Sequence, residues 1–250
     1  VIIDTHCHIH ESDYPLDREE TVNFAHENGV EKMICVGTSI KSSFDAIEFV
    51  GSHDTVFASI GVHPHESKDG YKKIGELVGS DKLVAVGEIG LDYYYDHSPR
   101  DVQIEALKWQ IDLALSNNLP IIFHIRDAFD DFWPIFDSFK DIRGVLHSFT
   151  DNQANLDKCL SRGLYVGVNG ISTFTKDDAQ KELFNSIPLD RLLLETDSPF
   201  LAPAPNRGKT NQPAYARDVA LYHAQARGIS YEEIAQATTL NANTLFSLKN

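Results

Sequence analysis

Eight short apolar runs, each followed by a stretch with helical periodicity, constrain this chain more than any other feature. The runs lie at 1–6, 32–37, 56–61, 83–88, 120–125, 144–149, 164–169 and 191–196. They are rich in Val, Ile and Leu and nearly continuous in apolar character, as strands of a parallel sheet buried on both faces are. Helices are expected between them, near 17–28, 41–51, 70–79, 99–117, 128–140, 152–162 and 177–186. Two or three more are expected over about 212–249. The longest carries Ile104, Leu107, Ile111 and Leu115 at three- and four-residue spacing, one face of a helix. Ser230 and Glu233 have the spacing of a capping box. This alternation implies an α/β fold, a (β/α)8 TIM-like barrel, as a single domain over 1–250 with extra C-terminal helices. The competing open, doubly wound sheet is weakened because no Gly-x-Gly-x-x-Gly follows the first run.

A barrel carries its chemistry at the C-terminal ends of its strands. Six of the 11 histidines fall at those ends: His6 and His8 after the first run, His63 and His65 after the third, His124 in the fifth and His147 in the sixth. Carboxylates join them at Glu88 and Asp92 after the fourth run and at Asp197 after the eighth. His6 and His8 are two residues apart in a strand, so they share a face, with Asp4 below them and Cys7 on the other side. Imidazoles suit transition metals, and a carboxylate can bridge two cations. His6, His8, Glu88, His124, His147 and Asp197 make six ligand side chains from five strands. That is too many for one ion with an open position, so two divalent ions sharing Glu88 are expected.

The remaining polar residues carry alternatives. His63 is expected to contact substrate or metal, and His65 less so because Pro64 redirects the chain. Asp92 reads either as a helix N-cap or as a carboxylate behind the ligands. Arg126 reads as a binder of a substrate anion or as one half of an ion pair. Glu195 shares strand parity with Asp197 and reads as a structural acid in a lower layer. Asn169 and Ser172 follow the seventh run, where barrels often hold phosphate. Arg207 and Lys209 read chiefly as solvated loop charges. Tyr93–Tyr95 reads chiefly as packing and wall, with a platform for a base or sugar as the alternative. His10, His26, His53, His97 and His223 read as solvated.

Charge and cysteine content bound the class. The net charge of −15 argues against broad electrostatic capture of duplex nucleic acid, though not against a locally held strand. Three widely spaced cysteines argue for a reducing compartment and against a cysteine zinc site. No run of 18 apolar residues and no basic-then-apolar leader is present. A cytoplasmic enzyme is expected, with no membrane association and no obligatory protein partner.

Seven ordered stretches make the chain resemble a known family: DTHCH (4–8), GVHPH (61–65), GEIGLDYY (87–94), HIRDA (124–128), LHSFT (146–150), ETDSPFLAP (195–203) and PNRGKTNQP (205–213). The set resembles the TatD family of metal-dependent deoxyribonucleases, among the amidohydrolase-like barrels. The resemblance implies two divalent metals held by His6, His8, Glu88, His124, His147 and Asp197, with Glu88 bridging. It places His63 on the substrate side, with Asp92 and Arg126 supporting the site. Ser148 departs from the cysteine often found after the strand-six histidine. Glu88 stands where many amidohydrolase relatives carry a carboxylated lysine, which favours the TatD branch.

The expected activity is metal-assisted phosphodiester hydrolysis, with Asp197 taking the proton from water and Glu88 beside it. The resemblance points to a deoxyribonuclease acting as a 3′–5′ exonuclease on single-stranded DNA ends. The rival is hydrolysis of another ester or an amide, such as an aminoacyl ester. A metal-binding scaffold without turnover is a third reading, weakened by so many convergent acids and bases. The histidines argue for Zn, Mn or Fe, and the resemblance implies Mg in the assay.

Overall fold

The computed structural model describes residues 1–95 and 97–248. Its eight strands form one sheet in the order β1-β2-β3-β4-β5-β6-β7-β8. They are β1 Ile2–Cys7, β2 Val30–Val36, β3 Val56–Ile60, β4 Leu83–Asp92, β5 Ile121–Arg126, β6 Gly144–Leu146, β7 Tyr165–Val168 and β8 Leu192–Leu194. The helices are α1 Arg18–Glu27, α2 Ile40–Val50, α3 Arg100–Ser116, α4 Phe129–Asp137, α5 Gln153–Ser161, α6 Ile171–Phe174, α7 Asp178–Ser186, α8 Ala216–Arg227 and α9 Tyr231–Phe246. The last strand returns to the first: Cys7 forms a parallel bridge with Ser198, the Asp197 N–H donates to the His6 carbonyl at 2.8 Å, and the His8 N–H donates to the Ser198 carbonyl at 2.8 Å. A sequential parallel sheet with helical crossovers, whose ends meet, is a (β/α)8 TIM-like barrel. Each expected strand is present. Lys249, the last residue of the expected helical tail, lies outside the described residues.

The chain divides into two compact units: Val1–Cys35 with the chain from His147 onward, and Val36–Leu146. In the first unit α9 packs on β1 and β8, and the expected capping box is present. Asn241 on α9 donates to the Leu189 and Leu192 carbonyls at 2.9 Å each, fixing the approach to β8.

In the second unit, the helix expected at 70–79 is replaced by two 3-10 turns, Pro64–Asp69 and Lys72–Leu77. Gly70, Gly75 and Gly79 account for this. Glycine weakens a helix, and Gly70 sits at φ 100, outside helical space. The expected face of α3 is also rotated. Leu107 and Ile111 are buried as expected, but Gln103, Ala106, Gln110 and Ala114 complete the stripe. The two glutamines are buried because each clamps a strand end. Gln103 accepts from the Asp92 N–H at 2.9 Å and donates to the Asp92 and Ser98 carbonyls. Gln110 accepts from the Val62 N–H at 2.7 Å and donates to the Val62 carbonyl at 3.1 Å.

Strand β4 runs to Asp92, four residues past the expected end, so Glu88 lies within the strand. Gly90 makes the extension possible, since a Cβ there would meet the His124 carbonyl oxygen at 1.7 Å. The register with β5 shifts between Gly87 and Ile89, so Glu88 sits at a bulge that re-aims its side chain.

Three histidines expected in solvent are buried: His10, His53 and His223. His53 stacks on Phe49 at 4.2 Å, with Nδ1 2.8 Å from the Phe49 carbonyl oxygen. His10 has Nε2 3.3 Å from Glu11 Oε1. His223 on α8 contacts Ser172 Oγ at 3.0 Å, and that hydroxyl donates to the Asn169 carbonyl at 2.7 Å. Burial, with Arg227 adding repulsion, lowers the His223 imidazole from 6.5 to about 3. The unfolded chain therefore binds this proton as pH falls through 6.5, and the folded chain does not. The stability contributed by neutral His223 is full above 6.5 and is lost as pH falls toward 3, on the order of 5 kcal/mol in total. In urea unfolding at pH 7 and pH 5, His223→Leu should lose about 2 kcal/mol less between the two conditions than the unsubstituted protein. Equal losses would remove His223 from the acid limb.

Candidate metal centre

In the first unit, strand alternation places His6 and His8 on one side of the end of β1, with their Nε2 atoms 3.3 Å apart. Cys7 points the other way, donating to the Ile34 carbonyl. Asp197 follows β8 at φ 57 and brings Oδ1 to 3.3 Å from His8 Nε2 and 3.6 Å from His6 Nε2. Donors about 2.0–2.2 Å from one tetrahedral ion lie roughly 3.4 Å from each other. Two imidazole nitrogens and a carboxylate oxygen at these separations therefore fit a divalent cation. The His147 ring stacks on His6 at 3.9 Å. Burial alone would raise the Asp197 carboxyl, but the His8 hydrogen bond and the nearby His6 and His147 rings hold it below the usual range.

A layer of buried acids supports this cluster. Asp4 accepts from Thr196 Oγ1 at 2.6 Å, the Thr196 N–H at 2.9 Å and the His6 N–H at 3.3 Å, tying the strands that carry His6 and Asp197. Glu195 accepts from the Ser148 N–H at 2.7 Å and from Asn169 Nδ2 at 3.2 Å, and its Oε1 lies 3.4 Å from His147 Nδ1. Glu195 is thus the structural acid expected from its parity. Asn169 and Ser172 are buried in these internal contacts, which corrects their reading as phosphate binders.

In the second unit, His124 lies between two carboxylates. Its Nδ1 is 2.8 Å from Glu88 Oε1, and its Nε2 is 3.0 Å from Asp92 Oδ2. Asp92 also meets His65 Nε2 at 3.0 Å and accepts the N–H groups of Tyr94 and Tyr95 at 3.0 and 3.2 Å. Against the raising effect of burial, these hydrogen bonds and the two imidazoles hold Asp92 well below the usual carboxylate range. A carboxylate on Nε2 fixes a ring so that Nδ1 presents its lone pair, the arrangement found behind metal-bound histidines. Asp92 is therefore no helix cap; it orients His124.

His63 has Nε2 3.6 Å from Glu88 Oε1, and its Nδ1 accepts the His65 N–H at 3.1 Å. Burial, with the neighbouring His124, holds its pKa well below 6.5, so the ring is neutral with its proton on Nε2. Arg126 is exposed and makes no ion pair among the described residues. Its guanidinium lies over Tyr94 at 3.9 Å. Arg207 likewise stacks over Phe174 at 3.9 Å.

Of the nine side chains expected at the site, His6, His8, His147 and Asp197 meet one another in the first unit and His63, Glu88, Asp92 and His124 in the second, while the Arg126 guanidinium meets the Tyr94 and Tyr95 rings instead. The roles of Asp4, Gln103 and Gln110 were missed. The seven-residue spacing of the two glutamines on one predicted helix was the available signal.

The chain is similar to known proteins over nearly its whole length. The family model described as "TatD related DNase" matches residues 3–247. The uncharacterized metal-dependent hydrolase YabD of Bacillus subtilis is 39% identical, over 99% of this chain and 100% of that protein. A protein of Erwinia tasmaniensis named 3'-5' ssDNA/RNA exonuclease TatD is 34% identical, over 93% of this chain and 94% of that protein. The crystal structure of the TatD homologue YJJV of Escherichia coli superposes with a TM-score of 0.91 at 28% identity, covering 99% of this chain and 98% of that one.

Proposed function

Because the chain belongs to the TatD-related DNase family of metal-dependent hydrolases, we propose that it removes nucleotides from the 3′ ends of single-stranded DNA. The observation that carries this reading is the convergence of His6, His8 and Asp197 at ligand-like spacing, in a chain 34% identical to a protein named as such an exonuclease. The proposed enzyme is a single domain over 1–250 working in the cytoplasm, and the free thiols of Cys7, Cys35 and Cys159 accord with that compartment.

Two divalent ions, Zn or Mn by the donor set and Mg as an alternative in the assay, form part of the proposal. His6, His8 and Asp197, with His147 against them, would hold one; Glu88 and His124 would hold the other. Bound there, such ions supply Lewis-acid activation of water and charge screening at the phosphoryl group. Asp197 accepts the proton as the water oxygen attacks phosphorus, and the bond to the leaving oxygen breaks opposite it. The Nε2 proton of His63 is available to a phosphoryl oxygen, and Arg126 to a flanking phosphate.

The test is a 5′-labelled single-stranded oligonucleotide, run with each metal beside a circular single strand and a blunt duplex. A ladder shortening from the 3′ end is expected, with the circle spared. Binding should show a shallow salt slope, about two or three phosphates' worth, because the chain carries a net charge of −15. Cutting of the circle would overturn the exonuclease reading. Absence of cleavage with every metal would transfer the reaction to hydrolysis of another ester or of an amide.

A further inference from the structure

Beyond β4 the chain exposes aromatic surface that neither packing nor the chemistry above uses. Tyr94 is 57% exposed and Tyr95 44%. This departs from the packing read in the sequence. Tyr93 is held by a hydrogen bond to Asp131 at 2.8 Å and by Arg100 over its ring, but Tyr94 and Tyr95 have no such latch in their hydroxyl contacts.

Their backbone is fixed nonetheless. Both N–H groups donate to Asp92 Oδ1, and Asp92 Oδ2 meets His124 and His65. A single carboxylate thus anchors the tyrosines to a candidate metal ligand. The two rings stand edge to face at 4.7 Å, and His97 lies nearly parallel to Tyr95 at 5.6 Å. The Arg126 guanidinium is 3.9 Å above Tyr94 and 5.0 Å from Tyr95.

The geometry points to Tyr94, Tyr95, His97 and Arg126 as a subsite that stacks the nucleobases of a single strand beside the scissile end. The inference rests on the nuclease reading and names how that substrate is gripped. Every base has an apolar face that stacks on an aromatic ring or on a guanidinium plane, so such a surface is sequence-tolerant. A chain with net charge −15 gains little from long-range attraction to phosphates, so stacking is the contact left to supply affinity. A duplex keeps its bases paired and internally stacked and cannot use the platform. Single-strand preference then follows from the aromatic surface itself.

The test uses metal-loaded protein and fluorescence anisotropy with two single strands of equal length. Both carry hydrolysis-resistant phosphorothioate links, and one has abasic sites at its last two 3′ positions. The unsubstituted protein should bind the abasic strand about 10- to 100-fold more weakly. The Tyr94→Ala, Tyr95→Ala double variant should bind the intact strand more weakly by a similar factor and lose the discrimination. The Tyr94→Phe, Tyr95→Phe variant should retain it, since a phenyl ring still stacks. Equal binding of the two strands by the unsubstituted protein overturns the platform alone. So does unchanged discrimination in the alanine variant. No binding of either strand, with no cleavage of an ordinary oligonucleotide, overturns the platform and the nuclease reading together.

Discussion

Asp197→Asn is expected to lower kcat by about 10²- to 10⁴-fold, the usual contribution of a positioned general base. Asparagine keeps the size of the side chain and one oxygen for a cation but has no lone pair able to take the proton from water. KM should move by less than about threefold, the signature of help given only in the transition state. The geometry explains why this carboxylate is ready for the role. Two imidazoles within 3.6 Å keep it ionised against the effect of burial, so it is a base at neutral pH. Metal content is measured on the same sample. Near-normal kcat in a fully loaded variant removes Asp197 from proton transfer.

Glu88→Gln is expected to abolish activity together with occupancy of the ion that Glu88 holds. The unsubstituted protein should carry close to two divalent ions per chain by elemental analysis, and the variant close to one. Glu88 Oε1 is 2.8 Å from His124 Nδ1 and 3.6 Å from His63 Nε2, so neutralising it removes a negative charge that faces both rings. Glu88 is proposed to hold the second ion with His124, so that ion should be lost. Retention of both ions would remove Glu88 from the ligands. Full activity in a chelated sample with no residual metal would end the metal-dependent account of this chain.

The strands were legible because a parallel strand buried on both faces is an apolar run, and nothing else in the chain looks like one. The clustering of His6 and His8 was legible because alternation makes His-x-His a same-face pair wherever the strand ends. What escaped was set by tertiary partners. Gln103 and Gln110 look like exposed helix residues until two strand-end peptides need a donor and an acceptor. His53 and His223 look solvated, yet an imidazole buries readily once one hydrogen bond is found. Glu88 looked like a strand terminus because pairing beyond it depends on Gly90, whose lack of a Cβ admits the neighbouring backbone. Asp4 was placed below the histidines correctly, but its grip on Thr196 spans 192 residues of sequence and leaves no local trace.

The junction of the first and last strands also sets a clock. The pair His6 and His8 is made first, and the peptide that closes on it, from Asp197 to the His6 carbonyl, comes 191 residues later. At translation rates of about 5–20 residues per second, that interval is roughly 10–40 s. Throughout it the nascent chain holds two histidines without the carboxylate that completes their cluster. The closed junction therefore forms only once Asp197 has been made, and a chain released before that point lacks it.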